Sequence, residues 1–176
     1  MVRSLEAAEI ADLLATDTVA RLATIDADGY PHVTPIWFLW SADTCYLTSY
    51  TGRPHIERIR TNPRVGLVVD VESELRHDGE RPNRQIRIIG DATLSPDRDG
   101  AWTHRIRAKY IDPTIAPNAA SRNPIRDRVL ITVSPRHHRR GEYLNSGLLS
   151  WPNLVAQSMV IAPRGSHLTP TDHVGL

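Results

Sequence analysis

The chain has 176 residues, 40% of them hydrophobic and 23% charged, proportions that exclude a disordered or collagen-like polypeptide. Its net charge is +1, from 20 arginines and one lysine against 20 acids, so there is no global pull toward nucleic acid. The longest apolar stretch, Pro35 to Trp40, is far short of the roughly 20 residues a membrane-spanning helix needs. Cys45 is the sole cysteine, which leaves no internal disulfide and no thiolate cage for zinc. Acids at Glu6, Glu9 and Asp12 precede any long apolar run and argue against a secretory signal, so the expectation is one cytoplasmic domain with no membrane segment.

Leu5, Ile10, Leu13 and Leu14 fall at helical spacing and predict a leading helix over Ser4 to Ala15, with Ser4 as its cap. Val19 to Ile25 and His32 to Trp40 are strand-like, and the reversal Asp26-Ala27-Asp28-Gly29 between them predicts a hairpin. A turn at Ser41-Ala42-Asp43 leads to a third strand, Thr44 to Ser49, completing a meander. Tyr50 to His55 is a loop by its Gly52 and Pro54; a short helix with Ile56 and Ile59 follows and ends at Asn62-Pro63.

The β-branched run Val65 to Val71 predicts a buried, central strand, and the polar segment Ser73 to Asn83 an exposed loop bordering a site. Gln85 to Leu94 alternates as a strand, and Trp102, Ile106 and Tyr110 at four-residue steps predict a helix over Asp97 to Tyr110 that packs on the sheet. Ile111 to Arg128 is a connector rich in Pro and Asn, followed by a strand at Val129 to Val133. Tyr143 to Val160 shows no clean period, and Ala162 to Leu176 is polar. Many strands, two helices and short hairpin links predict a small, mainly antiparallel β-barrel with helices packed outside it.

The ordered motifs are Gly29-Tyr30-Pro31-His32-Val33-Thr34-Pro35-Ile36-Trp37, Tyr46-Leu47-Thr48-Ser49, Gly52-Arg53-Pro54-His55, Asn62-Pro63-Arg64-Val65 and Arg84-Gln85-Ile86-Arg87-Ile88-Ile89-Gly90. This succession, over about Thr18 to Tyr110, resembles the pyridoxamine 5′-phosphate oxidase-like split-barrel family. The resemblance implies an antiparallel split β-barrel of the FMN-binding type: a leading helix over 1–17, a barrel core over 18–134 and a C-terminal extension over 135–176. It further implies a homodimer holding FMN, or the deazaflavin F420, in clefts between subunits, and a flavin-dependent oxidoreductase acting on a small organic substrate.

Carried over residue by residue, Thr34, Pro35, Ile36 and Trp37 would lie along the ring and ribityl chain. Thr48 and Ser49 would face the ribityl phosphate, with Arg53 and His55 as its basic partners, and Gln85 would reach over from the other subunit. Hydroxyl, guanidinium and helix-end donors together are chemically sufficient for a phosphate. Where many relatives have lysine, this chain has His55, which holds an anion less firmly near neutral pH. Arg58, Arg60 and Arg87 are candidates for meeting the acidic tail of F420.

The substrate-phosphate cluster and C-terminal Trp/Arg motif of true pyridoxamine phosphate oxidases are not found, which argues against vitamin B6 oxidation. No catalytic side chain is obligatory, because the cofactor carries the redox chemistry. Two other readings stand beside this one: a non-catalytic flavin or haem carrier, and a nucleic-acid module resting only on the basic run Arg136 to Arg140. Adjacent His137 and His138 would face opposite sides of a strand, so no metal site is expected, and Cys45 reads as a buried structural thiol.

Overall fold

A computed structural model describes residues 5–74, 77, 79, 83–112, 114–115, 125–136 and 157–160. Strands β1 (Ala20–Ile25), β2 (Pro31–Ile36), β3 (Phe38–Ser41), β4 (Thr44–Tyr50), β5 (Arg64–Glu72), β6 (Asn83–Pro96) and β7 (Arg128–Pro135) pair in the order β2-β1-β5-β6-β7-β4-β3. Every pairing is antiparallel. The long strand β6 spans both halves: β7 pairs with its residues 90–96, while β8 (Gln157–Val160) pairs with 84–87 along the same side. β8 comes from the Tyr143 to Val160 region, where no period marked a strand.

The expected strand His32 to Trp40 is two strands. β2 pairs with β1 at one end of the sheet and β3 with β4 at the other, with only Trp37 between them in the chain. The sheet therefore curls until its ends are one residue apart, yet they share no ladder, and the barrel stays open. The break is held by Tyr110, whose hydroxyl accepts the Phe38 N–H at 3.1 Å and faces the Phe38 and Thr18 carbonyls, both at 3.2 Å. A side chain thus satisfies backbone groups that the split leaves without strand partners.

Helix α1 (Ala7–Ala15) starts at Glu6, whose N–H donates to the Glu9 carboxylate at 2.8 Å; the expected cap, Ser4, lies outside the described residues. At its other end Lys109 donates to the Leu14 carbonyl at 2.9 Å, a cation at a helix C-terminus. Helix α2 (Pro54–Thr61) has proline in its first turn, where no N–H is needed, and buries His55, Ile56 and Ile59. Helix α3 (Ala101–Tyr110) follows a single 3₁₀ turn, so Asp97 precedes the helix instead of belonging to it. The Asp97 carboxylate accepts the Trp102 and Thr103 N–H groups at 2.9 and 3.0 Å and caps α3 from outside.

Strand alternation sets the core. Ala20, Leu22 and Thr24 of β1 point inward, as do Val65, Leu67 and Val69 of β5 and Ile86 and Ile88 of β6. β5 is buried on one face only, so the expectation of a fully buried strand holds for half of its side chains. Cys45 lies in this core at 1% exposure, and burial pushes its thiol up to about 12.

Candidate functional site

The candidate site lies where β4 ends and α2 begins. Along β4 the side chains alternate, and Cys45, Leu47 and Ser49 face the core while Tyr46, Thr48 and Tyr50 face outward toward α3. Thr48 and Ser49, expected together at one site, therefore stand on opposite faces of the sheet. Thr48 is held under α3: its hydroxyl oxygen lies 3.1 Å from the Thr103 hydroxyl and accepts from Arg128 Nη2 at 2.8 Å. The Asp97 carboxylate accepts the Thr103 hydroxyl at 2.6 Å, and the Arg128 guanidinium covers the Tyr50 ring 4.5 Å from its centroid. This closed network anchors the end of β4.

Ser49 points the other way and meets His55, with Oγ 2.7 Å from Nε2. Both residues are buried, at 7% exposure each. Burial holds the His55 imidazole below its usual range, and the charges of Arg58 and Arg53 act in the same direction. His55 is therefore a neutral hydrogen-bonding group at neutral pH. Arg53 precedes α2 and is exposed, and Gly52 before it takes φ +77°, which allows the loop to turn from β4 into the helix.

One helical turn beyond His55, Arg58 reaches across to β1, where its Nε donates to Thr24 Oγ1 at 2.9 Å. Thr24 is fully buried, in an inward register otherwise filled by Ala20 and Leu22. Its cross-strand partner is His32, whose Nε2 lies 2.7 Å from a carboxylate oxygen of Asp26 in the hairpin turn. Asp26 also accepts the Asp28 and Tyr30 N–H groups, at 3.0 and 2.8 Å, and the contact with His32 first, then the Tyr30 N–H, holds its carboxyl below the ordinary range.

On the sheet end next to this cluster, β2 is the outer strand. Thr34 and Ile36 continue the inward rows, Thr34 opposite Leu22, and both are partly exposed. Pro35 is exposed on the opposite face. Trp37, at the break, is 40% exposed and stacks on Tyr110 with centroids 4.7 Å apart. Gln85 is partly buried on the outward face of β6, with Arg87 and Ile89, opposite Asp70 of β5. Within one chain, then, the structure brings Ser49 and His55 together, places Arg53 at the start of the same helix, and sets Gln85 on the other side of the sheet.

Sequence reasoning does not single out Thr24, the Asp26–His32 pair, or the anchoring of Arg58. A threonine at an inward strand position is the signal that points to the first. His137 and His138 lie outside the described residues. Among the described residues there is no group of three or more His, Cys, Asp or Glu side chains able to hold a metal ion, and no helix is long and apolar enough to cross a membrane.

Residues 7–139 match the family model described as pyridoxamine 5′-phosphate oxidase, and the chain belongs to that family. Its fold, among the described residues a mainly antiparallel sheet with three helices, is that of the split-barrel members. An F420 reductase is similar at 28% identity and TM-score 0.53, over 72% of this chain and 92% of that one. A FAD-binding protein from Mesorhizobium loti shares the fold at 21% identity and TM-score 0.56, over 92% of this chain and 99% of its own. A haem storage protein from Vibrio cholerae shares it at 18% identity and TM-score 0.54, over 75% and 91% of the two chains. No curated protein matches the sequence.

Proposed function

We propose that this protein is a homodimeric oxidoreductase that binds FMN and passes a hydride to or from a small organic substrate. The observation that carries the reading is the Ser49–His55 pair at the start of α2, flanked by Arg53, in a chain of this family. A phosphate ester suits that donor set of hydroxyl, imidazole and guanidinium. When bound, the flavin supplies the ring that takes or gives the hydride. The chain's own residues hold the phosphate, line the ring along Thr34 to Trp37 and exclude water. The likeness to an F420 reductase supports F420 as the alternative cofactor.

The outer sheet face supports the dimer. Val33, Ala23, Gly66 and Ile89 form one cross-strand row over β2, β1, β5 and β6, and Val33 and Ile89 are 62% and 56% exposed. Pro35, Arg21, Val68 and Arg87 form the next row. The exposed Val33 and Ile89 side chains are suited to covering by a second copy. Gln85 stands on that same face, consistent with its reaching a partner's cofactor.

The test is the visible spectrum of the purified protein after incubation with FMN or F420 and desalting. Retained FMN supports the reading and calls for an electron-acceptor screen; retained F420 moves the protein to the deazaflavin branch. Retention of neither overturns it in favour of a non-catalytic carrier, and a Soret-type band after haem reconstitution identifies haem.

A further inference from the structure

We propose that Trp37 sets substrate class: the indole face turned away from Tyr110 stacks on a planar, electron-poor substrate ring of the quinone type. The inference deepens the reading above and rests on it for the redox role of that ring. It starts from the way the tryptophan rings are covered. Trp102 is taken up on both faces, since the Tyr46 ring and the Arg105 guanidinium lie 3.9 and 4.2 Å from its ring, too close to share one face. Trp40 is half-buried and packs against the core.

Trp37 differs. It is 40% exposed, and among the described residues its ring has one stacking partner, Tyr110, with centroids 4.7 Å apart and planes 3° from parallel. A parallel stack covers one face of an indole and leaves the other open. The location explains the exposure. Trp37 stands in the one-residue gap between β2 and β3, so it belongs to neither ladder.

The ring is also held still. The Tyr110 hydroxyl is tied to the Phe38 N–H and to the Phe38 and Thr18 carbonyls. Lys109 Nζ lies 3.6 Å from the centroid of the buried Phe38 ring and 5.2 Å from that of Tyr110, and fastens the same corner to the end of α1. An aromatic surface fixed before binding loses little conformational entropy when a ligand covers it.

Electronics select the ligand. Of the aromatic side chains, indole presents the strongest negative face, so it favours a ring poor in electrons. A ring able to accept a hydride has that character. In the flavin reading the cofactor ring runs along Thr34 to Trp37, so a planar acceptor on Trp37 stands at the end of that row. A second copy is the competing cover for the indole, but the apolar row assigned to the dimer lies on β2, β1, β5 and β6, and Trp37 is in none of these strands.

The experiment is calorimetric and spectral titration of wild type, Trp37→Leu and Trp37→Phe with duroquinone, whose fully methylated ring resists addition of thiols and amines. Trp40→Phe and Trp102→Phe are controls, and hydroquinone dimethyl ether, planar but electron-rich, is the comparison ligand. Wild type should bind duroquinone with a charge-transfer band at longer wavelength than protein or ligand alone. Trp37→Leu should abolish the band and weaken binding about 10-fold, with Trp37→Phe intermediate and both controls unchanged. Trp37→Phe keeps a ring against Tyr110, so a folding defect in Trp37→Leu does not end the test.

Absence of the band in wild type, equal duroquinone affinity in the Trp37 variants, or equally tight binding of the ether overturns the proposal. A Trp37→Leu change that dissociates a dimer in sedimentation but leaves duroquinone binding intact overturns it in favour of a second copy. If FMN is retained through desalting and duroquinone binding ignores Trp37, the flavin reading stands and this proposal falls. If neither FMN nor F420 is retained and duroquinone binds through Trp37, the stacking site stands and the flavin reading falls.

Discussion

Tyr110→Phe tests how the open barrel is held at its break. The hydroxyl accepts the N–H of Phe38, a residue with no solvent exposure, at 3.1 Å and directs its single proton between two carbonyls at 3.2 Å. Its removal deletes one accepted and one donated bond, each worth about 1 kcal/mol net, and leaves a backbone N–H buried without a partner. The expected loss is about 2–3 kcal/mol, a fall in Tm of roughly 5–10 °C for a chain of this length. The ring itself remains and keeps its stack on Trp37, so the effect isolates the hydroxyl. Burial pushes this hydroxyl up to about 12, so it is protonated throughout an assay near neutral pH. Urea unfolding followed by tryptophan fluorescence gives the difference directly, provided the slope m is unchanged. Tyr110→Leu, which also loses the stack, should cost about 1 kcal/mol more. A loss below about 0.5 kcal/mol for Tyr110→Phe would refute the argument and show that the strand ladders alone hold the break.

Three further outcomes follow from the same structure. Gly100→Ala should destabilise by about 2 kcal/mol or more, because Gly100 takes φ +67° and an added Cβ would lie 2.2 Å from Ile125 Cγ2; trimming Ile125 to Ala in the same chain should recover part of the loss in thermal melts. His55 is held below 6.5 in the folded state, so the unfolded chain binds its proton first on acidification. Stability should fall as pH drops below about 6.5, and His55→Gln should flatten that slope in urea midpoints compared between about pH 7 and pH 5. The buried Cys45 thiol is raised from 9.0 to about 12, so the unfolded thiol ionises first on the alkaline side. Stability should be lost as pH rises above about 9; Cys45→Ala should remove that component, and a thiol reagent should label Cys45 only in denaturant.

Much of the fold was legible because its strands alternate and its turns carry their own chemistry. Val65 to Val71, Gln85 to Leu94 and Val129 to Val133 all lie within observed strands, and Asp26 to Gly29 turns as its residues require. The break at Trp37 was not legible. Apart from Pro35, the run His32 to Trp40 is made of residues suited to a strand, and nothing in it says that its two halves pair with opposite ends of one sheet. β8 was missed for a related reason: four residues in an aperiodic stretch become a strand only because β6 offers an unpaired stretch beyond β7.

The site divides along the same line. Residue types and their order placed Ser49, Arg53 and His55 near one another, since they lie within seven positions of the chain across a glycine turn. That Thr48 and Ser49 part company follows from a period of two that applies only once the strand is known to be sandwiched between core and α3. Sequence by itself determined the family, the strand-rich class and the chemistry available at the β4–α2 turn. Only the tertiary structure decided that His55 is buried and neutral, and that Arg58 finds an anchor on Thr24. Those properties depend on desolvation and on contacts 34 residues apart in the chain, which no local pattern encodes.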